Sequence, residues 1–309
     1  MTESSFAGVL VPALTPFTPA LEPDRAAWLA HCRWLLDEGA DGLAIFGTTS
    51  EANSLGIDER MELLDYVVGE GIDPALLMPG TGTCALADTV KLTSHAVSRG
   101  VGGVLLLPPF YYKGVGDDGL FAAVSEVIER VGSAALKVYL YHIPPVAQVG
   151  YSVSLIERLV SAYPQTVVGI KDSSGDWSNT KAVLDALPQI AVFPGSEIFL
   201  LDGLRAGGAG CITASGNVNP AGIRAVYTNW REENADRLQA RITEIRKTIQ
   251  AFPAVPALKA ITAAFTGSSD WSITRPPLEA LDEATARQLL DALSAIGFSM
   301  ADNRDCHAA

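Results

Sequence analysis

Residues Val167-Val168-Gly169-Ile170-Lys171-Asp172-Ser173-Ser174-Gly175-Asp176 run from an apolar, β-branched stretch directly into a Ser/Gly loop. The pattern predicts a strand that is covered on both faces and that ends at a lysine. Desolvation at such a place disfavours the charged ammonium form, and a free lysine amine is the nucleophile that Schiff-base chemistry on a carbonyl requires. The alternative is that Lys171 snorkels to solvent or pairs with Asp172. The rest of the sequence helps to distinguish a nucleophilic lysine from a solvent-exposed or paired one.

Short apolar runs of the same kind recur and alternate with longer amphipathic stretches. The runs are residues 8–14, 42–46, 76–79, 103–107, 138–141, 167–171, 191–193 and 210–213. The stretches between them include 24–38, 58–70, 85–99 and 178–187, and three of these are followed by Gly39, Gly71 and Gly100, as helix stop signals predict. Strand–helix alternation predicts an α/β fold with a parallel sheet. Eight such units within about 250 residues predict a (β/α)8 TIM barrel.

The strand pattern stops near residue 219 and helical patterns follow it. We expect residues 1–219 to hold the barrel strands and the catalytic face. Residues 220–309 are expected to add the last barrel helix and an extra C-terminal helical segment within the same structural unit. Pro253, Pro256 and the Pro276-Pro277 pair should break these helices. Residues 302–309 are expected to form a frayed tail.

Composition narrows the class of protein. The chain has 309 residues, of which 48% are hydrophobic and 18% charged, so it can bury a large core. A formal net charge of −13 argues against nucleic acid and anionic membranes as partners. The four cysteines and four histidines show no metal-binding spacing, so we expect no metal and no cofactor. The first five residues lack the pattern of a signal peptide, and a cytoplasmic protein is expected.

Chemistry in a barrel of this type takes place where strands end and loops begin. The residues that follow the predicted strands are Thr15, Gly47-Thr48-Thr49-Ser50-Glu51, Gly80-Thr81-Gly82, Phe110-Tyr111-Tyr112, Tyr141-His142, Lys171, Gly195-Ser196-Glu197 and Thr213-Ala214-Ser215-Gly216-Asn217. One amine, several phenols and several hydroxyls are therefore predicted to converge on one face.

Three of these pieces resemble a known family. The chain is similar to the class I aldolases that include dihydrodipicolinate synthase and N-acetylneuraminate lyase. The similar segments are Gly47-Thr48-Thr49-Ser50-Glu51, the Tyr-x-x-Pro that begins at Tyr141, and Gly169-Ile170-Lys171-Asp172. The resemblance covers residues 8–217 and extends weakly through Arg275-Pro276-Pro277-Leu278. Tyr141 and Lys171 are 30 residues apart, one βαβ step, so they should lie on adjacent strands.

The resemblance implies a lyase that makes or breaks a carbon–carbon bond through a Schiff base between Lys171 and pyruvate or another 2-keto acid. By resemblance, Tyr141 moves protons, and Thr48 and Tyr111 complete a relay to solvent. Thr48 and Thr49 would hold the keto-acid carboxylate. Ile212 would contribute a backbone carbonyl near the lysine, and Gly195 is a further candidate for contact with substrate. A homodimer or homotetramer is expected if Tyr111 reaches a neighbouring subunit.

The sequence also departs from the family pattern. Val146 stands where the lysine-pathway synthase carries the arginine that grips a second carboxylate, which argues against that activity. His142 is either a substrate ligand or a side chain that faces away from the barrel interior. Ser50 replaces the usual glycine, and Glu51 is expected to cap or brace the loop without doing chemistry.

Three functions remain open. The first is a pyruvate-type aldolase or a dehydratase of a 2-keto-3-deoxy sugar acid. The second is dihydrodipicolinate synthase activity despite Val146, and the third is a barrel that binds a keto acid without catalysis. The sequence does not specify the second fragment of the substrate. Nor does it distinguish cleavage, condensation and dehydration, because these three reactions proceed through the same imine.

Overall fold

Seven parallel strands are present in residues 6–300, the part of the chain that this computed structural model describes. They are β1 (Gly8–Val11), β2 (Gly42–Leu43), β3 (Val104–Leu106), β4 (Val138–His142), β5 (Val167–Asp172), β6 (Ala191–Pro194) and β7 (Gly210–Ile212). Strands β2, β1 and β7 hydrogen-bond in that order, and β3, β4, β5 and β6 form a second run. Every pairing is parallel, as the strand–helix alternation predicts.

Residues 77–80 join the two runs of strands and occupy the third position of the barrel. Leu77 bridges Leu43 in β2, and Gly80 bridges Leu105 in β3. On the other side, the Ala209 N–H donates to the Val192 carbonyl oxygen over 3.0 Å and brings β6 to β7. Of the predicted strand at 76–79, Leu76 instead ends a 3-10 helix (Pro74–Leu76), and the rest is an extended segment with isolated bridges, because Pro79 has no N–H to give to a ladder. The predicted TIM barrel is confirmed.

Helices follow and connect the strands of the barrel. They are α1 (Arg25–Asp37), α2 (Ile57–Gly69), α3 (Leu86–Ser98), α4 (Asp117–Val131), α5 (Pro144–Ala147), α6 (Val153–Ala162), α7 (Trp177–Ala186), α8 (Leu200–Arg205) and α9 (Pro220–Asn229). Asp24 and Asp176 accept hydrogen bonds from the first turns of α1 and α7, as N-caps do. Gly39, Gly71 and Gly100 follow α1, α2 and α3 with positive φ, so the predicted helix stops are correct.

Up to residue 300, the C-terminal segment contains three further α-helices, α10 (Ala235–Ile249), α11 (Ala254–Thr266) and α12 (Glu283–Ala295). Pro253 precedes α11 and acts as the predicted break. Pro256, however, lies within the first turn of α11, so its predicted role as a break is wrong. A proline is tolerated in a first turn because the N–H it lacks would have no partner there.

The barrel interior is filled from its N-terminal end. Tyr139, Phe193, Leu105 and Ile212 belong to one buried cluster inside the barrel, with Phe6 beneath them. The Phe6 N–H donates to the Tyr139 hydroxyl over 2.9 Å. The opposite, C-terminal end of the barrel is where active sites lie in barrels of this architecture.

Residues 6–300 were compared with the features of membrane-spanning helices and of metal sites. In this range no helix is both long and apolar enough to cross a membrane. Within the same range, no three His, Cys, Asp or Glu side chains cluster in a way that could hold a metal ion. The expectations for the first five residues and for the tail at 302–309 lie outside the described range.

Candidate active site

Lys171 and Tyr141 lie side by side at the C-terminal end of the barrel. They are paired across the β4–β5 ladder, so their predicted placement on adjacent strands is confirmed. Only 4% of Lys171 is exposed, and its Nζ lies 4.4 Å from the centroid of the Tyr141 ring. The ring face can stabilise a cation at that nitrogen, including the iminium of a Schiff base. An amine in this place can attack a carbonyl that enters from the catalytic face.

Asp172, the next residue along β5, does not pair with Lys171. Its carboxylate accepts hydrogen bonds from Ser174 N, Asn179 Nδ2 and Thr180 Oγ1, at 2.9, 3.0 and 2.6 Å. Successive strand residues face opposite sides, so Asp172 points out of the barrel while Lys171 points in. In the described part of the chain Lys171 forms no ion pair. The alternative of a snorkelling or Asp172-paired lysine is therefore wrong.

The Tyr141 hydroxyl has a partner on the 47–51 loop that follows β2. Its Oη lies 3.2 Å from Thr48 Oγ1, within hydrogen-bond distance. Tyr141 is buried, whereas Thr48 is exposed to solvent. A proton can therefore pass from the buried phenol through one hydroxyl to the surface of the molecule. The structure thus brings together Lys171, Tyr141 and Thr48, three of the predicted catalytic residues.

The 47–51 loop also presents unused backbone donors. Ser50 N donates to the Gly47 carbonyl and Glu51 N to the Thr48 carbonyl, each over 3.1 Å, which closes a tight turn. The N–H groups of Thr48 and Thr49 donate no hydrogen bond within residues 6–300. Adjacent free N–H groups on a turn bind anions well. A keto-acid carboxylate is one such anion, and its binding here would need no side-chain cation.

Ser50 and Glu51 have structural partners. The backbone at Ser50 avoids positive φ, so this position does not require a glycine, and the Ser50 carbonyl accepts a hydrogen bond of 2.8 Å from Thr15 Oγ1. Glu51 is buried and forms an ion pair with Lys259 of α11, and thus braces the loop as expected. Sequence reasoning missed Lys259. A lone lysine inside the apolar sequence of α11 was the available signal.

The His142 ring points away from Lys171 and Tyr141. Its Nδ1 accepts a hydrogen bond of 2.9 Å from Tyr151 N, and the ring packs over Gly150. Burial lowers the pKa of His142, and the nearby Asp172 carboxylate opposes the shift. Of the two expectations for this residue, the geometry favours a side chain that faces away from the barrel interior.

Gly195 and Ile212 lie on the wall of the barrel beyond Lys171. Gly195 N donates to the Asp172 carbonyl over 2.6 Å, and a side chain at Gly195 would collide with the Ser173 hydroxyl. That hydroxyl forms no hydrogen bond within the described range and was not predicted as a site residue. Ile212 is fully buried in the barrel interior, but β6 separates its strand from the strand of Lys171.

Tyr111 lies outside the group formed by Lys171, Tyr141 and Thr48. It is 73% exposed and makes an edge-to-face contact with Tyr112, which is 72% exposed, at 5.4 Å between ring centroids. Lys113 ties this loop to the carbonyl of Ala147 over 2.7 Å. Tyr111 makes no hydrogen bond to Thr48 or Tyr141 in this chain. The predicted relay is therefore not completed within one described protomer.

A buried acid supports the last loop of the catalytic face. Both Thr213 and Ser215 donate hydrogen bonds to the carboxylate of Glu197, which is 1% exposed. The Nη1 of Arg246 in α10 lies 3.6 Å from the same carboxylate. Its oxygens are thus occupied by the protein, and Glu197 orders the loops that follow β6 and β7.

Comparison with known proteins agrees with this arrangement. A model of the Dihydrodipicolinate synthetase family matches residues 5–296 of the chain. The chain belongs to this family. An uncharacterized DapA-like lyase of Chloroflexus aurantiacus is 34% identical over 265 residues, which cover 85% of this chain and 87% of that protein.

Solved structures of the Dihydrodipicolinate synthetase family are also similar. The dihydrodipicolinate synthase of Agrobacterium tumefaciens is 34% identical, with a TM-score of 0.88 over 94% of this chain and 99% of that chain. The E. coli K12 prophage protein YagE, solved in complex with pyruvate, is 25% identical, with a TM-score of 0.85 over 94% and 98%. Membership of this family makes the protein an enzyme of the lyase and aldolase class.

Proposed function

We propose that the protein is a class I aldolase or lyase that forms a Schiff base between Lys171 and the ketone of pyruvate or another 2-keto acid. One observation carries the proposal: a buried lysine amine over the Tyr141 ring, with the phenol bonded to Thr48. Among similar proteins, YagE binds pyruvate in its solved structure.

The chemistry is balanced without any further group. The Lys171 amine adds to the ketone carbon to form a carbinolamine, and Tyr141 gives its proton to the carbinolamine hydroxyl, which leaves as water and yields the protonated imine. Cleavage of the bond between the third and fourth carbons then sends its electron pair into the iminium, which leaves an enamine. The Tyr141 phenolate takes the proton from the alcohol that becomes the carbonyl of the leaving fragment, and gives that proton to the enamine carbon. Water then hydrolyses the resulting imine, which releases the keto acid, frees the Lys171 amine and returns a proton to the phenolate. Condensation is the reverse sequence.

The carboxylate of the keto acid would be held by the free N–H groups of Thr48 and Thr49. Val146, which is 63% exposed, offers no cation at the position that binds a second carboxylate in the synthase. The free Ser173 hydroxyl beside Gly195 is instead suited to a hydroxyl on the substrate. A hydroxylated 2-keto acid, such as a 2-keto-3-deoxy sugar acid, therefore fits better than aspartate semialdehyde.

The site is proposed to be completed by a second copy of the chain. Tyr111 and Tyr112 form an exposed aromatic pair on the catalytic face, and tyrosine is common at protein interfaces. In a homodimer or homotetramer, Tyr111 of one subunit would extend the proton path from Thr48 of another. The protein is proposed to act in the cytoplasm.

Borohydride reduction in the presence of pyruvate, followed by peptide mass mapping, tests the proposal. The expected result is one pyruvate-derived adduct on Lys171. Lys171→Met should abolish it, and Lys181→Met, which removes an exposed lysine paired with Asp185, should leave it intact. Trapping by a longer keto acid alone would keep the mechanism and move the substrate toward dehydratase or sugar-acid chemistry. Failure with every keto acid tried would overturn the enzyme mechanism and favour a barrel that only binds keto acids.

A further inference from the structure

A solvent-free ion pair connects the catalytic face to the C-terminal helices. The side chains of Lys259 in α11 and Glu51 in the 47–51 loop are both 0% exposed, and Nζ contacts the Glu51 carboxylate. The same ammonium donates a hydrogen bond of 2.6 Å to the Ile273 carbonyl and lies 4.4 Å from the centroid of the Phe17 ring. Burial lowers the pKa of Lys259, while the Glu51 carboxylate raises it. Either charge left alone in this place is costly, so the two groups hold each other firmly.

The other oxygen of the Glu51 carboxylate is held by a second group from the same segment. Arg275 N donates to Glu51 Oε2 over 3.0 Å. The Arg275 guanidinium is itself fixed by two hydrogen bonds to Glu59, of 2.8 and 2.6 Å, and by one of 2.7 Å to the Ser54 carbonyl. Residues 259 and 275 therefore hold both oxygens of one loop carboxylate.

The backbone of Glu51 shows why such anchoring is needed. Its φ of 55° and ψ of 35° lie in the left-handed region, which a residue with a side chain adopts only when its surroundings impose it. The Glu51 N–H closes the turn onto the Thr48 carbonyl over 3.1 Å. If Glu51 relaxed toward ordinary backbone angles, that turn would open. The free N–H groups of Thr48 and Thr49 and the Thr48 hydroxyl would then change direction.

We propose that Lys259 is a positioning residue, which holds Glu51 and through it the 47–51 loop in the conformation that binds the keto-acid carboxylate. Lys259 does not touch the substrate. The identity of the ligand rests on the function proposed above, whereas the control of the loop by Lys259 rests on the contacts alone. The C-terminal helices thereby take part in substrate binding from outside the barrel.

Three variants test this assignment in the full-length protein: Lys259→Met, which removes the ammonium group but keeps most of the unbranched side chain, Glu51→Gln, and the double variant. Lys181→Met on the exposed face of α7 is the control. Hydrogen exchange of the peptide that covers residues 47–51 is measured first, since it reports local opening without any substrate. The pyruvate concentration that gives half-maximal trapping by borohydride is measured next, on folded protein.

We expect faster exchange in the 47–51 peptide of Lys259→Met and an increase of about tenfold or more in the half-saturating pyruvate concentration, because small displacements of binding groups have large effects. Trapping at saturating pyruvate should still reach the wild-type level, since Lys171 is untouched. The effects of Lys259→Met and Glu51→Gln should not add in the double variant if the lysine acts through Glu51.

Unchanged exchange in this peptide would overturn the inference, and so would faster exchange with an unchanged half-saturating concentration, because a purely structural pair would not alter binding. Lower melting temperature alone would not count in its favour. If the wild-type protein trapped no keto acid, the proposed function would fail. The hydrogen-exchange measurement alone would then test whether Lys259 controls the conformation of the 47–51 loop.

Discussion

In the proposed mechanism, proton transfer depends on the Tyr141 phenol, which is the only hydroxyl bonded to Thr48 Oγ1 in the described part of the chain. Removing it in Tyr141→Phe should lower turnover by about 100-fold to 10,000-fold. Thr48→Val keeps the phenol but breaks its path to solvent, so a smaller loss is expected. Initial rates with the substrate that emerges from trapping would measure both. Equal rates in Tyr141→Phe and wild type would contradict the assignment.

His31 is expected to make folding stability depend on pH. Its Nε2 lies 2.9 Å from Asn217 Oδ1, and burial lowers its pKa from 6.5 to about 4, against a smaller upward effect of that hydrogen bond. Between these values the unfolded chain binds a proton that the folded chain does not. Stability should therefore rise by about 3 kcal/mol as the pH increases from 4 to 6.5.

Urea unfolding across this pH range would measure the effect. His31→Gln removes the titrating group and keeps a side chain that can donate to Asn217. The variant should thus lose this part of the pH dependence, while other groups keep theirs. A slope between pH 4 and 6.5 that is the same in both proteins would show that His31 is not its source.

The individual site residues could be predicted to different degrees. Lys171 could be predicted because it ends an apolar strand, and Tyr141 because of the family resemblance, while their spacing of one βαβ step predicted that they lie on adjacent strands. Lys259 could not be predicted, because its partner Glu51 lies far away in sequence and the two meet only when α11 packs on the barrel. The outward direction of His142 followed from its place next to Tyr141.

At the level of secondary-structure elements, the side-chain amide of Asn217 joins the segment after β1 to the loop after β7. Asn217 Oδ1 accepts from Leu14 N over 2.9 Å, and Nδ2 donates to the carbonyls of Pro12 and Ala214 over 3.0 and 2.9 Å. Asn217→Ala should lower the free energy of unfolding by about 3 kcal/mol, because it leaves several buried polar groups without partners.

A matched control for this change lies in α9. Asn229 Nδ2 donates one hydrogen bond of 2.8 Å to the Ala225 carbonyl at a partly buried position. Asn229→Ala should cost about 1 kcal/mol or less. Urea denaturation of both variants would give the comparison, and equal losses would refute the idea that Asn217 joins the ends of the barrel.

The order of the elements was predictable, whereas the details of the third strand and of α11 were not. Alternating apolar and amphipathic segments specify a barrel regardless of exact strand lengths. The weak ladder at residues 77–80 reflects Pro79, whose effect depends on its partners in the sheet. Pro256 was expected to interrupt a helix, but it lies where a first turn accepts proline.

For the whole molecule, the exposed Tyr111–Tyr112 pair predicts self-association. Replacing both tyrosines with serine removes large aromatic contact surface, and the subunit dissociation constant should rise by about tenfold or more. Sedimentation velocity over a range of concentrations would measure it. Leu278→Ser, at another exposed apolar side chain, should leave assembly unchanged. A wild-type protein that is monomeric at all concentrations would refute the second-copy proposal.

The filled floor of the barrel has a kinetic consequence. Because Phe6, Tyr139 and Phe193 occupy its N-terminal end, reactants can pass only through the mouth around Lys171. In the proposed cleavage reaction the keto-acid half stays covalently attached to that lysine after the bond breaks. The aldehyde fragment must then depart first and the keto acid last, so pyruvate should inhibit competitively against the substrate and the aldehyde should not.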